Sequence, residues 1–525
     1  MNKISLKEIL EEEKIICESD INNKFIFILD FYDNYSFIDN YEDLKLLSNA
    51  KDIITYDLTL NKYLKANNIN ANITRLDVLC KFVDLPILLA RLGNSKPYNN
   101  HSDYRNNVAM RCKQVLQVYN EVKSDIDAIE EVNKIFGTNL KNVSKTEVIE
   151  NIACFEPKYK YSANDTLKFR YKLPNPDFHL FTTDVCKTLL KNILENDFTI
   201  ENGKISHPYL PSVITLNGKS VKCVFGGLHT CNTESFMEKS DTKSVILDFD
   251  ANSYYTSIVC SDYIFNELLG DNIINHLSKI LSLKLNADTS VPKSVLNCYK
   301  LILNSLTGKF NDKNSKFYNP KAYLEMTITG QLYLLYLFEY YMTDRLNRVD
   351  VLAINTDGIT IKLPRNMSFL GTNATFDIEL RSLWKIKFKQ VEYNTICMDN
   401  VNNYFALDTE RNIKAIGKYS SKNSINRFTN ASVVMRAVSN YLLRGIKIKD
   451  TVYNAHNKQF LMYSGSNDKV YCFYASNDSI GSSVSINGRK LNNSDNCKLV
   501  EDKIDNINYD YYINKANEII NKFQL

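Results

Sequence analysis

An α+β multidomain fold is what this sequence predicts, and three observations carry the prediction. Short β-branched and aliphatic runs, such as KFIFILDF at 24–31 and KSVILDFD at 243–250, alternate with longer segments whose apolar residues recur at helical spacing, such as YRNNVAMRCKQVLQVYNEV at 104–122. At 525 residues the chain is too long for one hydrophobic core. With 44% hydrophobic and 24% charged residues, and only 16 Gly and 10 Pro, folded structure is expected almost throughout.

The elements follow in order. The first segment reads as α/β: the strand at 24–31, then AKDIITYDL at 50–58 as a strand entering a helix, then the helix at 104–122. KLPNPDF at 172–178 is a boundary, because two prolines interrupt regular structure. CVFGGLHT at 223–230 carries paired glycines that permit close backbone approach. The strand at 243–250 runs into ANSYYTSIV, a turn opening a helix, which leaves Asp250 at the strand's C-terminal end. Helices are expected at 294–310 and about 325–347, and VLAINTDGITIK at 351–362 reads as a hairpin whose Asp-Gly tip would use Gly358 for a positive φ. SVVMRAVSNYLLRGI is read as helical and KVYCFYAS as a strand.

Bulk charge identifies no partner: 64 Lys+Arg against 60 Asp+Glu leave +4. Basic surface must therefore be local, as in KFNDKNSKFYNPK at 309–321 and LLRGIKIK at 442–449. The 12 cysteines are scattered, without Cys-x-x-Cys or His/Cys ligand spacing, which fits reduced thiols. MNKISLKEILEEEK has neither signal-peptide nor transit-peptide character, and LYLLYLFEYYM at 332–342 is too short to span a bilayer; a cytoplasmic protein is expected.

Asp250 and Asp357 are the residues on which chemistry centres. Each ends a predicted strand in otherwise apolar surroundings, where an unpaired carboxylate is costly. Side by side they would repel unless a cation joined them, and two Mg²⁺ ions about 3.5–4 Å apart suit oxygen ligands and an in-line phosphoryl displacement. The helix at 294–310 supplies triphosphate-binding chemistry. Lys300, Asn304 and Gly308 recur every four residues, and four residues advance a helix by about 400°, so the three share one face.

DANSYYTSI at 250–258, KLILNSLTG at 300–308 and AINTDG at 353–358, in that order, resemble the three polymerase motifs of family B DNA polymerases, D-x-x-S-L-Y-P-S-I, K-x-x-x-N-S-x-Y-G and Y-x-D-T-D-S. The resemblance is to the small phage and plasmid type, close to the protein-primed branch. It implies a right hand of palm, fingers and thumb, a DNA-dependent DNA polymerase working on primer–template DNA and dNTPs, and two Mg²⁺ ions, with Mn²⁺ as the alternative. By it, Asp250 and Asp357 are catalytic and hold the metals with the Ala251 carbonyl. Lys300, Asn304, Ser253 and Tyr255 bind the nucleotide, and the Tyr255 ring excludes a ribose 2′-hydroxyl. Lys284 and Lys293 remain open as further triphosphate ligands. VFGG at 224–227 is similar to the family's Y-x-G-G segment and IKAIGKY at 413–419 lies at its minor-groove segment, so Gly226, Gly227, Lys418 and Tyr419 join Lys309 as candidate DNA contacts. Arg444, Lys447 and Lys449 are further phosphate candidates.

Departures are explicit: Asn355 replaces the first Asp of D-T-D, Gly358 the final Ser, Thr256 the Pro, Thr307 the Tyr and Val224 the Tyr of Y-x-G-G. About 41 residues between Ile258 and Lys300 leave little room for large insertions. The family also implies an RNase H-like 3′–5′ exonuclease domain upstream. Here Asp30 stands with Tyr32 in the Glu position, and Asn61 and Asn107 occupy the later Asp positions, so this domain is expected to be inactive; a different register would bring in Asp33, Asp57, Asp77 or Asp103. The expected organisation is 1–125 exonuclease-like, 126–240 connecting region and start of palm, 241–259 palm, 260–310 fingers, 311–420 palm and 421–525 thumb. A self-priming enzyme, one primed from a terminal protein or assisted by other replication proteins, and a catalytically silent DNA-binding relative are the competing readings; no membrane partner is expected.

Overall fold

The computed structural model describes the chain except residues 1, 21–24, 57, 81–82, 84, 93–103, 153–154, 163, 174–180, 232–233, 344–347, 368–385, 421–430, 467–468, 487, 501–503 and 524–525, and except the side chains of 19–20, 25, 41, 58–59, 86, 90, 104–107, 465–466 and 469–470. The chain forms two compact units, one of Met1–Val148, Lys422–Val434 and Val452–Ile513, the other of Ile149–Ser421, Met435–Thr451 and Asn514–Leu525. The expected thumb, 421–525, is thus shared between both units.

The first unit is built on a six-stranded mixed sheet. Its strands are β1 (Asn2–Lys3), β2 (Ile15–Asp20), β3 (Phe25–Leu29), β4 (Asn34–Ile38), β5 (Ile53–Thr55) and β6 (Ile73–Arg75), in the order β1-β4-β3-β2-β5-β6. β2, β3 and β4 pair antiparallel, whereas β5 lies parallel to β2 and β6. Helix α1 (Leu58–Ala66) leads from β5 towards β6, and α2 (Tyr104–Phe136) packs over β2 and β3. The boundary expected at 125 falls inside α2, which continues without a break to Phe136. Ile15, Cys17, Ile26, Ile28, Ile53 and Leu60 form the buried core between sheet and helices. The remaining part of this unit carries a small antiparallel sheet of Met462–Ser466, Lys469–Ala475 and Cys497–Leu499.

This topology corrects the expected exonuclease constellation. β3 runs against β2, with Leu29 opposite Ile16, so Asp30 lies at the end of the sheet where β2 begins; α1, with Asn61, starts where the parallel strand β5 ends. Asp30 and Asn61 therefore sit at opposite ends. Asp30 is fully buried and accepts from the Tyr32 and Asn34 main-chain N–H groups and the Asn34 side chain, each at 2.8 Å, so it staples the β3–β4 turn. Tyr32 is 75% exposed. The Asn107 side chain, Asp57 and Asp103 lie outside the described residues. Asp77 is paired with Arg75, and Asp33 lies on the surface near Lys113. The carboxylate brought to the α1 end is Glu18 on β2, which no sequence signal marks. It is fully buried, accepts from Thr55 Oγ1 and the Tyr56 N–H, and pairs with Arg111 at 3.0 Å.

The second unit holds a ten-stranded sheet. Its strands are β7 (Ser212–Leu216), β8 (Lys219–Cys223), β9 (Leu228–Thr230), β10 (Phe236–Lys239), β11 (Ser244–Ala251), β12 (Asp350–Asn355), β13 (Gly358–Pro364), β14 (Phe388–Asn400), β15 (Asn403–Asp408) and β16 (Ile413–Ile416). They run β7-β8-β9-β12-β13-β11-β14-β15-β16, with β10 beside β14. Val245, Ile246 and Leu247 of β11, with Val351, Leu352 and Ile354 of β12, are buried, as β-branched and aliphatic runs on a central strand require. Helices α3 (Tyr254–Ser261), α4 (Asp271–Leu285) and α5 (Lys293–Lys309) pack against one another, and α6 (Pro320–Met342) packs on α3 and β12. Asn319 caps α6 by accepting from the Ala322 N–H, with Pro320 in its first turn.

Helix α6 is buried on nearly every side, as LYLLYLFEYYM predicts, and no described helix is long and apolar enough to cross a membrane. Its polar residues are used as anchors. Glu325 accepts from the Lys172 N–H, Gln331 from the Val224 N–H, and Glu339 from the N–H groups of Thr182 and Thr183. The described cysteines are free and mostly buried.

Burial pushes the Glu325 carboxyl up to about 8, against the weaker opposing effect of the Lys172 N–H. The folded state therefore binds a proton that the unfolded chain has released, and stability falls as pH rises from the ordinary glutamate range through about 8. Glu325→Gln should flatten this dependence by roughly 4 kcal/mol between pH 5 and 9, read from urea midpoints of the variant and wild type.

Candidate active site

β11 and β13 pair so that Asp250 faces Gly358 in register, and Asp357 is the residue just before it. The Ala251 N–H donates to the Asp357 carbonyl at 2.9 Å, which ties the end of one strand to the crest of the hairpin. Asp250 and Asp357 thereby line one cavity of about 50 Å³, together with Asp248, Thr360, Tyr404 and Lys414. Gly358 is required here for a reason other than the expected one. Thr356, with φ +46°, takes the left-handed turn position, whereas a Cβ on Gly358 would stand 2.8 Å from the Phe249 carbonyl.

The two acids are electrostatically uncomfortable. Burial, followed by the charge of Asp250, pushes the Asp357 carboxyl up to about 6. Burial also raises Asp250, although Lys414, Lys389 and Lys300 oppose the shift. Asp250 and Asp357 are oxygen donors with unbalanced negative charge, a set that fits a hard divalent cation. Among the described residues no three His, Cys, Asp or Glu side chains converge as a metal cluster.

The stripe on α5 is exposed at Lys300, Asn304 and Gly308 while Ile302, Leu303, Ser305, Leu306 and Thr307 are buried, so the four-residue spacing does define its open face. Thr307 turns inward, its hydroxyl bonded to the Leu303 carbonyl. Of the two open lysines, Lys284 on α4 donates to Ser253 Oγ at 2.5 Å. Its ammonium is held below its ordinary range by burial and then by the nearby charge of Lys300. Two cations thus meet at the start of α3, where Ser253 adopts φ +54°. The Tyr255 hydroxyl donates to the Gly226 carbonyl at 3.1 Å, and Gly227 lies against Thr356, so VFGG touches both the α3 start and the hairpin crest.

Three expected DNA contacts are engaged otherwise. Lys309 is buried and paired with Asp312 at 2.6 Å and Glu150 at 3.1 Å, so its ammonium is already neutralised. Lys418 is ion-paired with Asp399. Tyr419 is 2% exposed and packs edge-on against Phe405 and beside Phe523, as a core ring. Gly226 is exposed, and so are Arg444, Lys447 and Lys449.

The lysine of IKAIGKY that reaches the site is Lys414, on β16. It lies over the rings of Tyr393 and Tyr404 and pairs with Asp248 at 3.2 Å. Burial works against its charge, but Asp248 and the two tyrosines outweigh that effect and raise its proton affinity. Asp248 is nearly buried and also accepts from Thr360 Oγ1 at 2.7 Å and the Tyr393 hydroxyl at 2.8 Å. Its place was readable in KSVILDFD, since residues two apart on a strand share a face. His229, the register partner of Asn355, completes the crest; burial lowers its proton affinity and a hydrogen bond to Asn355 partly restores it.

No protein-family model and no curated protein matches the chain. Among solved structures, the family B DNA polymerase from the hyperthermophilic archaeon Pyrobaculum calidifontis is similar at a TM-score of 0.47 and 10% sequence identity, over 97% of this chain and 78% of that one.

Lys414→Met leaves Asp248 without its cation and should destabilise the protein by roughly 1–3 kcal/mol, reduced from a fully buried pair because the lysine is partly solvated. In a double-mutant cycle with Asp248→Asn, measured by chemical denaturation, the double variant should recover part of that loss.

Proposed function

We propose that the chain is a DNA-dependent DNA polymerase that adds dNTPs to a primer 3′-hydroxyl under template direction. The observation that carries this reading is the meeting of Asp250 and Asp357 in one cleft, within electrostatic reach of Lys300 on the open face of α5. The ordered motifs DANSYYTSI, KLILNSLTG and AINTDG add their family resemblance to it.

Asp250, Asp357 and the Ala251 carbonyl would hold two Mg²⁺ ions, which when bound supply Lewis-acid activation of the 3′-hydroxyl and charge neutralisation at the leaving pyrophosphate. Lys284, held by Ser253, and Lys300 on the open face of α5 offer two ammonium groups to a triphosphate, and an anion between them would relieve their repulsion. Ser253 is oriented by Lys284 at the start of α3. Asn304 and Gly308 present a hydrogen-bonding amide and a side-chain-free patch on the same exposed face, where a Cβ on Gly308 would meet nothing within 4 Å. The Tyr255 ring, held at its hydroxyl by Gly226, would exclude a ribose 2′-hydroxyl in this reading. Arg444, Lys447 and Lys449 offer sequence-independent phosphate contacts whose strength would fall with salt. In this reading the first unit is an exonuclease-like domain that does not proofread: among the described residues, Glu18 is paired with Arg111 and Asp30 is bound within a turn.

Primer extension with dNTPs and Mg²⁺ tests the reading. Asp250→Ala and Asp357→Ala should each lower the rate roughly a thousandfold or more, as removal of metal-holding groups does. Lys300→Ala should raise the KM for dNTP. Extension by Asp357→Ala at the wild-type rate would sink the proposal. Products formed without primer would assign self-priming, products begun on a protein hydroxyl a terminal protein, and duplex binding without synthesis a silent relative.

A further inference from the structure

Helix α6 carries a glycine in its middle, Gly330, at a cost of about 1 kcal/mol relative to alanine in helix propensity. It lies about 75 residues beyond Tyr254 and Tyr255 in the sequence, yet its surroundings tie it to them. A Cβ at Gly330 would come within 3.0 Å of Tyr254 Cε1, 3.2 Å of Tyr255 Cε1 and 3.4 Å of Ile258 Cδ1. Both aromatic rings at the start of α3 are thus seated directly on the α6 backbone. The Tyr254 hydroxyl donates to the Gly330 carbonyl at 2.6 Å, which holds the pair of rings against that point, and the two ring centroids are 5.4 Å apart.

The Tyr255 ring is fixed at its other end too. Its hydroxyl donates to the Gly226 carbonyl, and Gly226 is kept in place from α6, since Gln331 accepts from the Val224 N–H at 2.9 Å and Tyr323 Oη stands 3.4 Å from where a Gly226 Cβ would be. One ring edge therefore rests on Gly330 and the phenol tip on a segment hung from the next residue, Gln331. Freedom of the ring to swing is removed by a single helix.

We infer that Gly330 is a positioning residue for sugar selection, seating the Tyr255 ring against α6 while Gln331, through the Val224–Gly226 segment, holds its hydroxyl. This rests on the polymerase reading above and adds to it the residues that set the gate's position. Discrimination against a single hydroxyl depends on where the excluding edge stands to within a fraction of an ångström, and a methyl group at Gly330 would have to displace the ring by that amount.

Single-nucleotide insertion on a primer–template, with dNTP and with the matching rNTP, measures the selectivity ratio as kcat/KM for each sugar. Gly330→Ala should change that ratio by about tenfold or more, with the change in the KM for rNTP and with duplex binding as in wild type. Tyr255→Phe keeps the ring and removes only the Gly226 bond, and it should lower the ratio in the same assay; it serves where the alanine variant folds poorly, as judged by its melting temperature. Equal losses for both sugars in both variants, with the ratio unchanged, would overturn the inference while leaving the polymerase reading standing. A wild-type protein that inserts neither nucleotide would sink that reading, and this one with it.

Discussion

The hydrogen bond from the Ala251 N–H to the Asp357 carbonyl is the constraint on which the candidate site depends. It closes the end of β11 onto the crest of the β12–β13 hairpin, and it does so only because Gly358 lets the crest come within contact distance of the Phe249 carbonyl. The consequence is two carboxylates lining one cavity, Asp357 half-buried and Asp250 exposed. Burial, and then the charge of Asp250, raises the Asp357 carboxyl to about 6. Lys414, the lysine that most opposes the Asp250 shift, is itself paired with Asp248, so its field moderates the acid pair.

Helix α6 holds this arrangement from behind. An almost wholly buried helix needs partners for every polar side chain, and here Glu325, Gln331 and Glu339 each accept main-chain N–H groups from segments distant in sequence. The same residues that satisfy the helix thereby fix the entry at Lys172, the VFGG segment at Val224 and the turn at Thr182–Thr183. Gly330, one residue before Gln331, receives the rings of Tyr254 and Tyr255. The geometry of the cleft and the hydrogen-bond satisfaction of a buried helix are in this way one problem with one solution.

Much of this was legible in the linear chain. The β-branched runs around Ile246 and Val351 became central strands, the four-residue spacing of Lys300, Asn304 and Gly308 became the exposed face of α5, and the two acids at strand ends came into one cavity. Local errors have local causes. Gly358 was read as a turn glycine because Asp-Gly is a turn signal, but close approach by another strand, invisible in the motif, is what demands it. Lys309, Lys418 and Tyr419 are polar or amphipathic residues in basic surroundings; the local partner Asp312, the distant carboxylates Glu150 and Asp399 and the rings of Phe405 and Phe523 decided their fates.

The sequence by itself determined which segments are strands and helices and which residues carry oxygen, nitrogen and aromatic chemistry, because periodicity and side-chain type act over a few residues. Only the tertiary structure decided sides and ends. Antiparallel pairing of β2 and β3 put Asp30 at the end of the sheet where β2 begins and brought Glu18 towards the start of α1, paired with Arg111. Likewise Lys414 reaches Asp248 across two intervening strands, over the faces of Tyr404 and Tyr393. Strand direction and register are properties of pairs of segments, and no single segment contains them.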